Sequence, residues 1–147
     1  MNTSNKKNIV IKIGTTSIIK NGKVDPALLE SMVGLIKKFK NQYNFVIVTS
    51  GAVGLGASKL NYKTRPKSLK RLQVASAVGQ IELINQYEKI FNDQNLNVAQ
   101  VLITKNLIDD REQFINTTQA LNELLLQGIV PVINENDVVA TEELKFG

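Results

Sequence analysis

The chain has 147 residues, 43% of them hydrophobic, 18 lysines and arginines against 13 aspartates and glutamates, a formal charge of +5, and neither histidine nor cysteine. That length fits one domain with a single core, and the missing residue types exclude disulfide scaffolds, thiol nucleophiles, Cys/His zinc sites and every histidine-based triad. Any catalysis must use carboxylates, lysines, hydroxyls, amides and backbone, which suits a reaction in which no proton is pulled from the nucleophile.

The opening MNTSNKKN lacks the apolar stretch and cleavage pattern of a secretion signal, and no uncharged apolar run reaches the about 18 residues of a membrane span, so a cytoplasmic setting without membrane contact is expected. Asn8 to Ile13 (NIVIKI) reads as a strand covered on both faces, broken by Gly14. Asp25-Pro26 reads as an N-cap followed by a first-turn proline, and Leu29, Met32, Val33, Ile36 and Phe39 recur at helical spacing up to Lys40.

Asn44 to Thr49 repeats the buried-strand signature and runs into SGAVGLG, Ser50 to Gly56, a glycine-rich turn opening a helix. Next comes the basic stretch KLNYKTRPKSLKR, Lys59 to Arg71, with no acid between Gly51 and Ile81. It is either a solvated basic loop or an electrostatic collar for anionic substrates. Aromatic residues are only 5% of the chain and no arginine stripe interleaves with them, so nucleic-acid binding is not expected despite the charge.

From Pro66 to Asn92 the pattern is helical, with Gly79 marking a break or a close contact between two helical pieces. Val98 to Ile103 is a third strand. Asp109 with Glu112 resembles a capping box, and Phe114, Thr118, Leu121 and Leu125 mark the inner face of the next helix, which ends at Gly128. Ile129 to Ile133 is a fourth strand, in which Pro131 should sit where a ladder donor is not needed. Strands alternating with helices predict βαβ units, a mainly parallel sheet with helices on both faces.

Ligands collect at the carboxyl ends of such strands, and the unusual residues lie there: Lys12 to Ser17, Thr49 to Gly56, Thr104, and Asn134 to Asp137. Gly14, Thr15, Thr16 and Ser17 can surround a phosphoryl group, or form a plain polar turn; no Walker spacing is present. Lys12 either reaches an anion or snorkels to the rim. Ser50, Gly51 and Ala52 can direct backbone amides at a carboxylate or phosphate, with Ser50 as an ordinary N-cap the plainer reading. GAVGLG does not spell a dinucleotide fingerprint, and no acid follows about 20 positions on to hold a ribose. Asn134 and Asp137 can bind an ammonium or amide, or hydrogen-bond their own backbone in an Asx turn; Glu135 braces the loop.

Taken in order, VIKIGTTS, VIVTSGAVGLG, KRLQVASAVGQIELINQYEKIF, LITKNLIDDREQFINTTQALNELLLQGIVPVINEND and EELKFG resemble the glutamate 5-kinases of the amino-acid kinase family, over essentially the whole chain from Asn8. They are also similar to the first part of the bifunctional enzymes that make pyrroline-5-carboxylate. The resemblance implies a three-layer αβα sandwich around a mainly parallel sheet, with phosphoryl transfer from MgATP to the side-chain carboxylate of L-glutamate, the first step toward proline. It implies Lys12 as the catalytic lysine at the transferring phosphoryl group, with Gly14 and Thr15 in the phosphate-side turn. Ser50, Gly51 and Ala52 match the turn that holds glutamate, and Asn134 and Asp137 match groups around it, the aspartate toward the α-amino end. Proline is implied as feedback inhibitor, and a homo-oligomer is expected.

In the family a segment after Gly147 carries an Asp-Asn-Asp run, a second lysine and the adenine-binding half. Residues 1–147 are therefore expected to be the substrate-binding portion, to hold no metal ligand and not to turn over alone. Another amino-acid kinase, acting on aspartate or N-acetylglutamate, and a non-catalytic glutamate or proline binder stay open as alternatives.

Overall fold

A computed structural model describes residues 5–141. The closing EELKFG motif, residues 142–147, lies outside them. In chain order the elements are β1 (Lys7–Lys12), α1 (Thr15–Ile18), β2 (Ile19–Lys20), β3 (Lys23–Val24), α2 (Pro26–Phe39), β4 (Tyr43–Val48), α3 (Ala52–Lys59), α4 (Leu69–Asn92), β5 (Val98–Ile103), α5 (Arg111–Leu126) and β6 (Val130–Glu135). Short 3-10 turns occupy Lys105–Ile108 and Asp137–Val139. The small β2–β3 hairpin turns through Asn21 and Gly22, both with positive φ, the two-residue chemistry that such hairpins demand.

The main sheet has four strands in the order β1-β4-β6-β5, all parallel. Side chains alternate across it. Phe45, Ile47, Val130 and Val132 face a core built with α2 and α4, including Leu29, Ile36, Leu83, Tyr87 and Phe91. Val46 and Ile133 face the opposite side, against Leu125 of α5. Helices therefore cover both faces, giving the predicted three layers. α4 is the longest helix, but among the described residues no helix is long and apolar enough to cross a membrane.

Asp25 caps α2 as its sequence indicates, accepting from the Ala27 amide at 3.1 Å, while Lys20 pairs with it at 2.8 Å and holds its carboxyl below the usual value. Pro131 lies in the central strand, yet its missing N–H does no harm. In a parallel strand the polar groups of one residue point to one neighbour; Ile133 shares Pro131's side and faces β4, and pairing with β4 is registered only from Val132 onward.

Three expectations are corrected and two open alternatives are decided. β1 is an edge strand, with Val10 61% exposed, because a run apolar on both faces does not reveal which face a helix covers. Of the two readings of Gly79 the close contact holds and the break does not: α4 runs unbroken and Gly79 meets α3, where a Cβ would stand 1.8 Å from the Ala52 carbonyl oxygen, and one on Gly56 would stand 1.6 Å from that of Ala75. The two helices cross backbone to backbone. The cap of α5 is Asp110, accepting from the Gln113 amide at 3.0 Å and side chain at 2.8 Å, one residue beyond the expected pair. On α5, Leu125 is buried and Leu121 packs partly, but Phe114 and Thr118 are exposed, because helical spacing marks an apolar face without showing how far along the helix a neighbour covers it. The plainer reading of Ser50 as the cap of α3 is the alternative that fails, since Gly51 occupies the N-cap position.

Candidate functional site

Because every strand of the main sheet is parallel, all four carboxyl ends reach one edge, and hydrogen bonds just past the strands keep them level. Ile13 N–H donates to Val48 O at 2.8 Å, Thr49 N–H to Ile133 O at 2.8 Å and Asn136 N–H to Ile103 O at 2.7 Å. Over this edge lies a cavity of about 380 Å³, of the size that takes a small metabolite. Its walls come from the ends of β4, β5 and β6, the first turn of α3, and Thr15.

The α3 wall follows from one conformation. Gly51 has φ +107°, and a Cβ there would meet Ile18 and Ile19 at 3.1 Å, so only glycine turns the chain this sharply from β4 into α3. The first backbone bond of α3 runs from Leu55 N–H to Gly51 O. The amides of Ala52, Val53 and Gly54 thus have no intrahelical acceptor, and these three residues line the cavity, where the positive end of the helix favours an anion.

Ser50 and Thr15 brace two strand ends. The Ser50 hydroxyl donates to Ile13 O at 2.9 Å and accepts from the Thr15 hydroxyl at 3.2 Å, so both hydroxyl hydrogens are used within the protein and their lone pairs remain. Thr49, one residue earlier, is buried; its hydroxyl donates to Ser50 O and accepts from Tyr87 of α4 at 2.8 Å. Burial pushes the Tyr87 hydroxyl up to about 12, only partly offset by that hydrogen bond.

The β6 wall is held from α4. Buried Asn134 donates through Nδ2 to Gln80 Oε1 at 2.8 Å, and its Oδ1 accepts from the Glu135 amide at 2.9 Å. Asp137 Oδ2 accepts from the Ser76 hydroxyl at 3.0 Å. Asn134 thus bonds the backbone of its immediate successor, not the second residue on as an Asx turn would, while Asp137 is aimed by a helix distant in sequence and its Oδ1 has no hydrogen bond among the described residues.

Of the residues singled out from sequence, Thr15, Ser50, Gly51, Ala52, Asn134 and Asp137 line this one cavity. Lys12 and Gly14 do not. Lys12 is exposed at the end of β1, registered beside Val48, which does line it, and has no ion pair or hydrogen bond among the described residues. Gly14 has an ordinary φ of −79° and open space where a Cβ would stand. Two lining cations, Arg65 and Lys105, went unassigned by residue in the sequence reading. Arg65 belongs to the basic stretch suspected of forming a collar; Lys105 follows Thr104 at the end of β5, where position alone was a signal.

The cavity thus offers two cations and three helix-end amides to anions, and two carboxylates, Glu135 and Asp137, to a cation. That set suits a small zwitterion with more than one anionic group. Among the described residues no three or more Asp, Glu, His or Cys side chains gather to hold a metal.

Residues 7–147 match the amino acid kinase family. Among curated proteins, the chain is 46% identical over 145 residues to a glutamate 5-kinase of Prochlorococcus marinus (strain MIT 9301), covering 96% of this chain and 40% of that protein. It is 44% identical over 141 residues to a glutamate 5-kinase of Caldanaerobacter subterraneus subsp. tengcongensis (95% and 38% covered) and 42% over 146 to one of Moorella thermoacetica (98% and 39%). The chain therefore spans about 40% of the length of the curated relatives it matches. Among solved structures, the product complex of T. acidophilum isopentenyl phosphate kinase superposes with a TM-score of 0.51 at 13% identity, covering 87% of this chain and 54% of that one; the likeness is one of fold.

Proposed function

The chain belongs to the amino acid kinase family, and from that premise we propose that it is the substrate-binding portion of an enzyme that phosphorylates the side-chain carboxylate of L-glutamate with ATP. The product is L-glutamyl 5-phosphate, and the reaction opens proline biosynthesis. The observation that carries the reading is the cavity's charge arrangement, supported by the relatives named glutamate 5-kinase. L-Glutamate has one ammonium for Asp137 and two carboxylates for the α3 amides and the lining cations.

In the reaction a carboxylate oxygen forms a bond to the γ-phosphorus, the bond from that phosphorus to the β–γ bridging oxygen breaks, and ADP leaves with the electron pair. The nucleophile is already ionised at neutral pH, so no base is required and a chain without histidine lacks nothing for it. The protein's task is then to position the carboxylate and balance charge. Asp137, aimed by Ser76, and Asn134, aimed by Gln80, fix the amino-acid end. On the open rim, Lys12 with Gly14 and Thr15 takes the transferring phosphoryl group in this reading.

Kinases of this family use ATP, which we take to act with Mg2+. We assign the ion to the nucleotide side of the site, in keeping with relatives longer than this chain. The proposal carries with it proline as feedback inhibitor, a homo-oligomer and a cytoplasmic setting.

The test is an ATP-dependent hydroxamate assay on residues 1–147 fused to the remaining part of the P. marinus relative. Glutamyl hydroxamate is expected from L-glutamate and far less product from L-aspartate, with none from the 147 residues alone. Preference for aspartate, or turnover by the chain alone, overturns the proposal.

A further inference from the structure

Arg65 sits in the segment between α3 and α4 yet lines the cavity over the sheet. The segment is pinned rather than loose. The Tyr62 amide donates to Ala57 O at 2.9 Å, the Arg71 guanidinium lies 5.5 Å from the centre of the Tyr62 ring, and Pro66 is buried. The proline after it disfavours helical backbone at Arg65, which narrows the range of conformations open to this position.

Arg65 shares the cavity with Glu135 and Asp137 and forms an ion pair with neither; the ion pair among the described residues is Lys20 with Asp25. No acid occurs from Gly51 to Ile81 to neutralise it from its own segment. A guanidinium presents a planar fork of donors matched to a carboxylate, and this one lines the hollow with no side-chain partner among the described residues. Around it Lys63, Lys67 and Arg71 line an outer crevice that Arg65 also borders, so the cation-rich surface is continuous from solvent to cavity.

We propose that Arg65 is a specificity-determining residue that grips one carboxylate of the amino-acid substrate, an inference that rests on the dicarboxylate reading above. An analogue in which that carboxylate is an amide keeps one acceptor oxygen but loses the charge and turns N–H groups toward a fork that has only donors, so it binds more weakly.

The test is an NMR shift titration, which reaches millimolar affinities, of the 147-residue chain with L-glutamate, L-glutamine and L-glutamate α-amide. Arg65→Gln is expected to weaken L-glutamate about 10- to 100-fold, as loss of a charge-assisted hydrogen bond does. Arg65→Lys falls between, and Lys89→Gln in the last turn of α4, an exposed position that does not line the cavity, leaves affinity within a factor of about two, as a remote solvated charge should. The loss caused by Arg65→Gln should vanish for one of the two amides, which identifies the carboxylate gripped. Unchanged affinity for L-glutamate in Arg65→Gln, or an equal loss with all three ligands, overturns the assignment while leaving the substrate reading intact. If the unaltered chain binds no L-glutamate, both fall. Melting curves of each variant establish that it is folded.

Discussion

The Ser76 hydroxyl on α4 donates a 3.0 Å hydrogen bond to Oδ2 of Asp137, across 61 positions of sequence. Four residues further along the same helix, Gln80 takes the side-chain amide of Asn134 at 2.8 Å. One face of α4 therefore aims two cavity residues delivered by β6.

Asp137→Asn is expected to weaken L-glutamate binding at least about tenfold, because a charge-assisted contact to the ammonium is lost. Ser76→Ala keeps the charge and loses only its aim, so a smaller loss of about 2- to 10-fold is expected, with Ser76→Thr restoring affinity. Titrations of the three variants at one pH decide this; full affinity in Asp137→Asn would remove the aspartate from the ligand.

Two glycine-to-alanine changes within helices should move stability in opposite directions. Gly34 in α2 is exposed with nothing near a new Cβ, so Gly34→Ala should stabilise by about 0.5–1 kcal/mol. At Gly79 the Cβ would stand 1.8 Å from the Ala52 oxygen, and Gly79→Ala should destabilise by about 3 kcal/mol or more. Urea unfolding midpoints measure both, and a neutral Gly79→Ala would mean that the α3–α4 crossing is not tight.

Gly51→Ala should lower stability by about 1–3 kcal/mol, the usual cost of a side chain in such strained backbone, worsened here by contact with Ile18 and Ile19. It should also reduce L-glutamate affinity, because the turn fixes the direction of the Ala52, Val53 and Gly54 amides. A variant that melts lower but binds as before would separate the turn from the ligand.

Tyr87 gives a pH dependence at the alkaline end. Its hydroxyl is raised to about 12 in the folded protein from an unfolded value near 10, so the folded state holds this proton more tightly. The associated stability, about 2–3 kcal/mol from a shift of this size, is fully present below pH about 10 and is lost as pH rises toward 12. The difference in tyrosinate absorbance between the unaltered chain and Tyr87→Phe should therefore show a step well above pH about 10. A difference step at 10 would contradict the burial.

Local patterns carried the fold because apolar runs bounded by Gly, Asp-Pro and Asn identify elements without tertiary information. β5 falls on the expected residues, and the strands beginning near Asn8 and Asn44 shift by one. Placement was harder to read. Nothing in NIVIKI distinguishes an edge strand from a central one, and a glycine at position 79 of a helix reads identically as a break or as a contact. Strand order, with β6 inserted between β4 and β5, is likewise a long-range fact. For the site, residues at strand ends converged because parallel strands share one edge. Arg65 escaped individual notice because a connecting segment, not a strand, delivers it.

The interlocked glycines of α3 and α4 have a mechanical outcome. With carbonyls of each helix seated where the other's side chain would be, neither cylinder rolls or slides without the other. The amide-bearing end of α3 and the Ser76–Gln80 face of α4 therefore travel as one stiff block. Any closing movement over a captured guest falls to parts outside that block, such as the turn at Lys105.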